Sequence, residues 1–139
     1  MVGGINLKFV LIKFKMGREI KFRGFSKRQK NYVYGYYWYN PFEKKHIIKH
    51  IIEGGTQLED VECTVIEQYT GIKDKNGVEI YEGDLLQHYN SFIKPFVVNW
   101  DEELVSFVFE DGYTSYILTD KSFSVVGNVN ENPELLEVN

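Results

Sequence analysis

Gln68-Tyr69-Thr70-Gly71-Ile72-Lys73-Asp74-Lys75-Asn76-Gly77-Val78-Glu79-Ile80-Tyr81-Glu82-Gly83-Asp84-Leu85-Leu86 is the stretch on which the fold turns. Asn76-Gly77 supplies the positive backbone angles that a two-residue hairpin turn requires. Glu82-Gly83-Asp84 makes a second tight turn, after which Leu85-Leu86 enters a core. The acids Asp74, Glu79, Glu82 and Asp84, with Asn76, do not form a calcium loop. Such a loop needs its glycine five residues after the first Asp, and Gly77 follows Asp74 by three.

Downstream, the chain reads as a β-meander. Apolar runs at 96–100 and 104–109 are joined by Asp101-Glu102-Glu103, Asp111-Gly112 turns into 113–118, and 123–129 makes a further strand. With 84–89 these are five short strands, and five strands joined by tight turns suit closure as a small SH3-like barrel. Ile80, Leu85, Val97, Trp100, Phe107, Phe109, Ile117 and Val126 are expected to point into its interior. Asn132-Pro133 opens a short helix carrying Leu135 and Leu136.

Upstream, apolar residues alternate with charges in Arg18-Glu19-Ile20-Lys21-Phe22-Arg23-Gly24-Phe25, the two-residue period of a half-buried strand. Asn31-Tyr32-Val33-Tyr34-Gly35-Tyr36-Tyr37-Trp38-Tyr39 is a second extended stretch, so the pair predicts a hairpin with Tyr32, Tyr34, Tyr36 and Trp38 on one face. Residues 40–54 carry an N-cap at Asn40, Pro41 at the first helical position, Ile47, Ile48, Ile51 and Ile52 at helical spacing, and a Gly54-Gly55 stop. They are expected to form one short helix, although four β-branched residues suit a strand over 45–52 equally well. The expected class is therefore mainly β with a minor α part.

No catalytic motif stands out. His46 and His50 are four apart, but the sequence between them lacks the glutamate of a zinc helix, and Lys49 would repel a cation. His88 has no nucleophile in recognisable context. Cys63 alternates with apolar neighbours beside acidic groups that would raise its pKa, so it reads as an inert strand residue. The carboxylate pairs at 101–103 and 110–111 fall in predicted turns, where neighbours diverge. No phosphate loop, nucleophile elbow or dinucleotide fingerprint occurs. The expectation is a protein that is not an enzyme and uses neither cofactor nor metal.

Composition sets the scale. The chain has 139 residues, 43% of them hydrophobic and 16% aromatic, the balance of one β-rich globular domain. The net charge of -4 hides an asymmetry: residues 1–50 hold 12 Lys/Arg against Glu19 and Glu43, a net of +10, and the remainder carries -14. Opposed halves suit either two regions that attract one another within or between chains or a basic arm for nucleic acid. Residues 1–15 combine a short apolar run with Lys8, Lys13 and Lys15. The run is too brief for a signal peptide or a membrane span, so the segment is expected to be an extension outside the core, with Met16 as the natural start. Residues 16–139 are then a single domain with a basic, aromatic part at 16–60 and an acidic, β-rich part at 61–139.

Three blocks taken together are specific. Arg18-Glu19-Ile20-Lys21-Phe22-Arg23, the stretch from Gln68 through Asp84, and Val126-Gly127-Asn128-Val129 with Glu131-Asn132-Pro133-Glu134-Leu135-Leu136 resemble the YopX protein family of phages and prophages. The blocks appear in order and span nearly all of 18–137, whereas residues 32–52 match no block of the family. The resemblance implies an uncharacterised phage or prophage protein that is oligomeric, with no catalytic residues to carry over.

Two function classes follow. The first is a self-assembling interaction module in the bacterial host cytoplasm, without membrane contact. It would be a homo-oligomer using Tyr32, Tyr34, Tyr36, Trp38, Leu135 and Leu136, with a host or phage protein partner unidentified. The alternative is a nucleic-acid-binding protein using Arg18, Lys21, Arg23, Lys27, Arg28 and Lys30, with cations tracking phosphates and tyrosines stacking bases. An acidic remainder that would repel a polyanion ranks the second below the first.

Overall fold

The computed structural model describes residues 17, 19–52, 54–55, 57–88, 94–118 and 122–137. Arg18 and the expected extension 1–15 lie outside them. Six strands come first: β1 (Phe22–Ser26), β2 (Asn31–Asn40), β3 (Lys45–Ile51), β4 (Leu58–Cys63), β5 (Val65–Lys73) and β6 (Glu79–Tyr81). They form one sheet in the order β4-β3-β2-β1-β5-β6, and its strand pairs are antiparallel.

The expected N-terminal hairpin is present, with Gly24 opposite Val33 and Phe22 opposite Gly35. Only Thr64 separates β4 from β5, and its N–H donates to Phe25 O at 2.9 Å. The sheet therefore rolls until β4 approaches β1. Val33, Ile48, Val61 and Cys63 fill the inside of the roll, with Phe22 and Ile66 against them. Gly24 makes the roll possible, because a Cβ there would sit 2.5 Å from Cys63 Sγ.

The expected helix at 40–54 is absent, and its second half is the strand β3. The capping signal was real but serves another structure. Asn40 Oδ1 accepts N–H bonds from Phe42 (3.0 Å) and Glu43 (3.2 Å), and closes the turn at 41–44 rather than a helix. Ile47 and Ile48, adjacent in sequence, point to opposite faces of β3 and both are buried, a use of β-branched residues that a strand supports.

The second sheet comprises β7 (Asp84–His88), β8 (Phe96–Asp101), β9 (Ser106–Glu110), β10 (Ser115–Ile117) and β11 (Phe123–Asn128), in the order β10-β9-β8-β7-β11. These are the five expected strands. The return of β11 to β7 gives the neighbours of a five-stranded barrel, and no pairing joins β10 to β11 among the described residues. Its core is Ile80, Leu86, Val98, Phe107, Phe109, Leu118 and Phe123. Three expected core residues fall elsewhere. Ile117 and Val126 are exposed because Leu118 and Phe123 take the inward positions of their segments, a one-residue change of phase that reverses the face. Trp100 shares the Val98 face but sits at the end of β8, edge-on to Phe107 and 42% exposed. Val97 is only partly buried, whereas Ile80, Leu85, Phe107 and Phe109 are buried as expected. The short C-terminal helix is a 3₁₀ turn, Pro133–Leu136.

Candidate functional site

Strand alternation aims Arg23 and Glu67 away from the rolled core and towards the second sheet. Arg23 is 5%, Glu67 4% and Asp84 1% exposed, so three charged groups meet in a buried seam between the sheets. Arg23 Nε–H donates to Glu67 Oε2 and Nη2–H to Asp84 Oδ1, each at 2.6 Å, and Nη2–H also reaches Glu82 O at 3.1 Å. The guanidinium lies between the rings of Tyr32 (4.4 Å) and Tyr81 (4.8 Å). The remaining carboxylate oxygens are occupied. Asp84 Oδ2 accepts Tyr81 N–H at 2.8 Å, while Glu67 Oε1 accepts Tyr32 O–H at 3.0 Å and Asn130 Nδ2–H at 2.9 Å.

Gly83 completes the seam. Its φ of 76° is the turn conformation expected of Glu82-Gly83-Asp84, and a Cβ at that position would stand 2.6 Å from Glu67 Oε1. Burial works against the charge of Arg23, yet Asp84 and Glu67 outweigh it and hold the guanidinium above its ordinary value. Both carboxylates are held above theirs, because burial outweighs the one guanidinium they share. Burial, reinforced by the adjacent carboxylates, likewise raises Tyr32 and Tyr81. Every buried side-chain nitrogen and oxygen among the described residues has a hydrogen-bond partner. The chemistry of the seam is accordingly that of a lock between sheets.

The outer surface of β2, β3 and β4 is built differently. Tyr34, Tyr36 and Trp38 project outwards in a row, with Tyr36 67% exposed, and Ile51 and Leu58 continue the exposed apolar surface across the strands. Charges lace it: Lys49 bonds Asp60 at 2.8 Å and lies over Trp38, and Lys45 sits 3.3 Å from Glu62.

The expected site residues are thus divided. Tyr34, Tyr36 and Trp38 are on the surface, whereas Tyr32, on the same face, is part of the seam, because the second sheet covers that end of β2. Leu135 is exposed and Leu136 partly so, in the 3₁₀ turn. Of the expected phosphate contacts, Arg23 is buried against two carboxylates and cannot serve, and Lys21 bonds Glu79 at 2.6 Å and Glu19 at 3.2 Å. Lys27, Arg28 and Lys30 are exposed in the turn between β1 and β2.

His46 and His50 lie in a strand, where four residues span roughly 13 Å. Their Nδ1 atoms meet Tyr37 OH and Tyr34 O respectively, each at 3.0 Å. Cys63 is buried in the first core, which raises its thiol pKa, and Glu62 adds to the effect. Asp101 and Asp111 cap their own turns through backbone N–H groups. Glu67, Asn128 and Asn130 were not singled out from sequence. The available signal was a charged residue at an alternating strand position, as in Phe22-Arg23-Gly24.

The family model described as YopX protein matches residues 21–137. The crystal structure of protein EF1440 from Enterococcus faecalis is similar, with a TM-score of 0.60 at 25% identity over 86% of this chain and 99% of that one. No curated protein matches. Among the described residues, no helix is long and apolar enough to cross a membrane.

Proposed function

The chain belongs to the YopX protein family, and from that premise we propose that it is a non-catalytic, self-assembling interaction module, a phage or prophage accessory protein acting in the host cytoplasm. The observation that carries this reading is the outward row Tyr34, Tyr36 and Trp38 with Ile51 and Leu58, an exposed aromatic and aliphatic surface on a rigid sheet. Tyrosine and tryptophan bury large areas at interfaces while keeping a polar end satisfied, and few rotatable bonds are frozen in doing so. A non-catalytic role is supported by the seam, whose ionised groups are all engaged with one another. Nucleic acid is the weaker reading, since Arg23 and Lys21 are already paired. Lys27 and Arg28 face Glu59, Asp60 and Glu62 across a cleft of about 560 Å³, so acids stand beside any phosphate bound there.

Light scattering tests the proposal. Wild-type protein at tens of micromolar is expected to be a multimer, and Tyr36→Ser with Trp38→Ser should shift the mass towards monomer without loss of fold. A monomeric wild type, or a variant of unchanged mass, would overturn it.

A further inference from the structure

We propose that a groove beside the seam receives the basic turn 27–30 of a second copy, so that copies join head to tail. This rests on the self-association proposed above and names its contact. Two depressions of about 450 and 480 Å³ share Tyr34, Glu79 and Tyr81 and form one continuous groove. Tyr34 and Tyr36 offer exposed ring faces in it, and Ile20 and Ile51 add apolar wall. Glu19, Glu79, Asp84 and Glu131 line it against Lys21 and Arg23, leaving it net negative. Exposed rings beside an excess of carboxylates over cations suit a lysine or, better, an arginine, whose planar guanidinium stacks on a ring while its edge meets a carboxylate.

Turn 27–30 carries that chemistry. Lys27, Arg28 and Lys30 are exposed and have no ion pair among the described residues. The tip is preformed: Lys30 N–H donates to Ser26 O at 2.7 Å and Gln29 N–H to Ser26 Oγ at 3.4 Å. It cannot enter its own groove. The turn joins β1 to β2 beyond Ser26 and Asn31, whereas the groove begins at the paired residues Arg23 and Tyr34, three residues or roughly 10 Å down the hairpin. The contact must therefore run between molecules. A contact between two different surfaces of identical copies is heterologous, and it closes as a ring or continues as a filament.

A charge exchange tests this. One variant carries Lys27→Glu with Arg28→Glu, the other Glu19→Lys with Glu131→Lys, and nuclease-treated samples are sedimented singly and as an equimolar mixture, with urea midpoints confirming that each is folded. Each variant alone should self-associate at least about tenfold more weakly than wild type, because like charges then face each other. The mixture should recover association, since each turn again finds a groove of opposite charge. Wild type that associates while the variants are unchanged, or a mixture that stays dissociated, overturns the head-to-tail contact and leaves self-association standing. A monomeric wild type overturns both. Association that disappears on nuclease treatment means bridging by nucleic acid, and also overturns both.

Discussion

The seam around Arg23 and the outer face of β2, β3 and β4 are both made of tyrosines and charges, yet they are built in opposite ways. In the seam one guanidinium, two carboxylates, two phenols and two asparagines are buried or half-buried and hydrogen-bonded to one another or to their neighbours. On the outer face the same residue types stand in water, with ion pairs that are worth little individually. The seam draws on segments that carry the family resemblance, including Arg23, Tyr81, Asp84 and Asn128. The outer face draws on residues 34–62, and the family match over residues 21–137 takes in both regions. Residues fixed in place by mutual satisfaction hold the fold, and residues left open to solvent are available to a partner.

The sharpest way to break this contrast is Arg23→Met. It strands Glu67 and Asp84 without their cation, and should cost about 3 to 5 kcal/mol in urea denaturation. A loss below about 1 kcal/mol would mean that the seam does not hold the sheets together. Trp100→Ala extends the comparison to a residue between the two extremes. Full burial would make its loss worth about 3 to 5 kcal/mol, but a ring leaning on Phe107 at the sheet's edge should cost only about 1 to 2 kcal/mol. A larger loss would place the ring in the core after all.

The smallest effect concerns pH. Glu67 and Asp84, held above the ordinary carboxylate range by burial, contribute stability that is complete below that range and eroded as pH rises through their raised values. Asp74 behaves oppositely. Burial opposes its charge, but N–H bonds from Val125, Val78 and Asn76 outweigh burial and hold it below its ordinary value. Its contribution is present above the ordinary pKa and lost as pH falls through the lowered one. Thermal melts from about pH 3 to about pH 8 should therefore show maximal stability near the ordinary carboxylate pKa, about pH 4, and a monotonic rise to neutrality would contradict the assignment.

What could be read from sequence follows the range of the interactions involved. The hairpin at Asn76-Gly77, the five later strands and the N-terminal hairpin are set by local turn chemistry and alternation and were legible, although the expected two-residue turn is a loop of Lys75, Asn76 and Gly77 in which only Gly77 takes a positive φ. The segment 40–54 was misjudged because a capping asparagine satisfies the same free amides in a tight turn as in a helix. The phases of residues 117–118 and 126 were missed because short apolar runs do not reveal which of two faces is inward, and a bulge between Val125 and Gly127 breaks the alternation. The seam was invisible for a different reason. Its partners are separated by 44 residues for Arg23 and Glu67 and by 98 for Tyr32 and Asn130, so no local pattern announces them. The charge asymmetry did foretell attraction between basic and acidic regions, and part of it is realised within the chain through Arg23, Lys21 and Lys49.

Amide hydrogen exchange of the wild-type protein over a range of concentrations tests the division between the two regions most directly. Strands β1, β5 and β7 around the seam should be protected to the same degree at every concentration, whereas β2, β3 and β4 and the turn 27–30 should gain protection as concentration rises. Exchange independent of concentration throughout, or seam amides whose protection depends on assembly, would contradict the account.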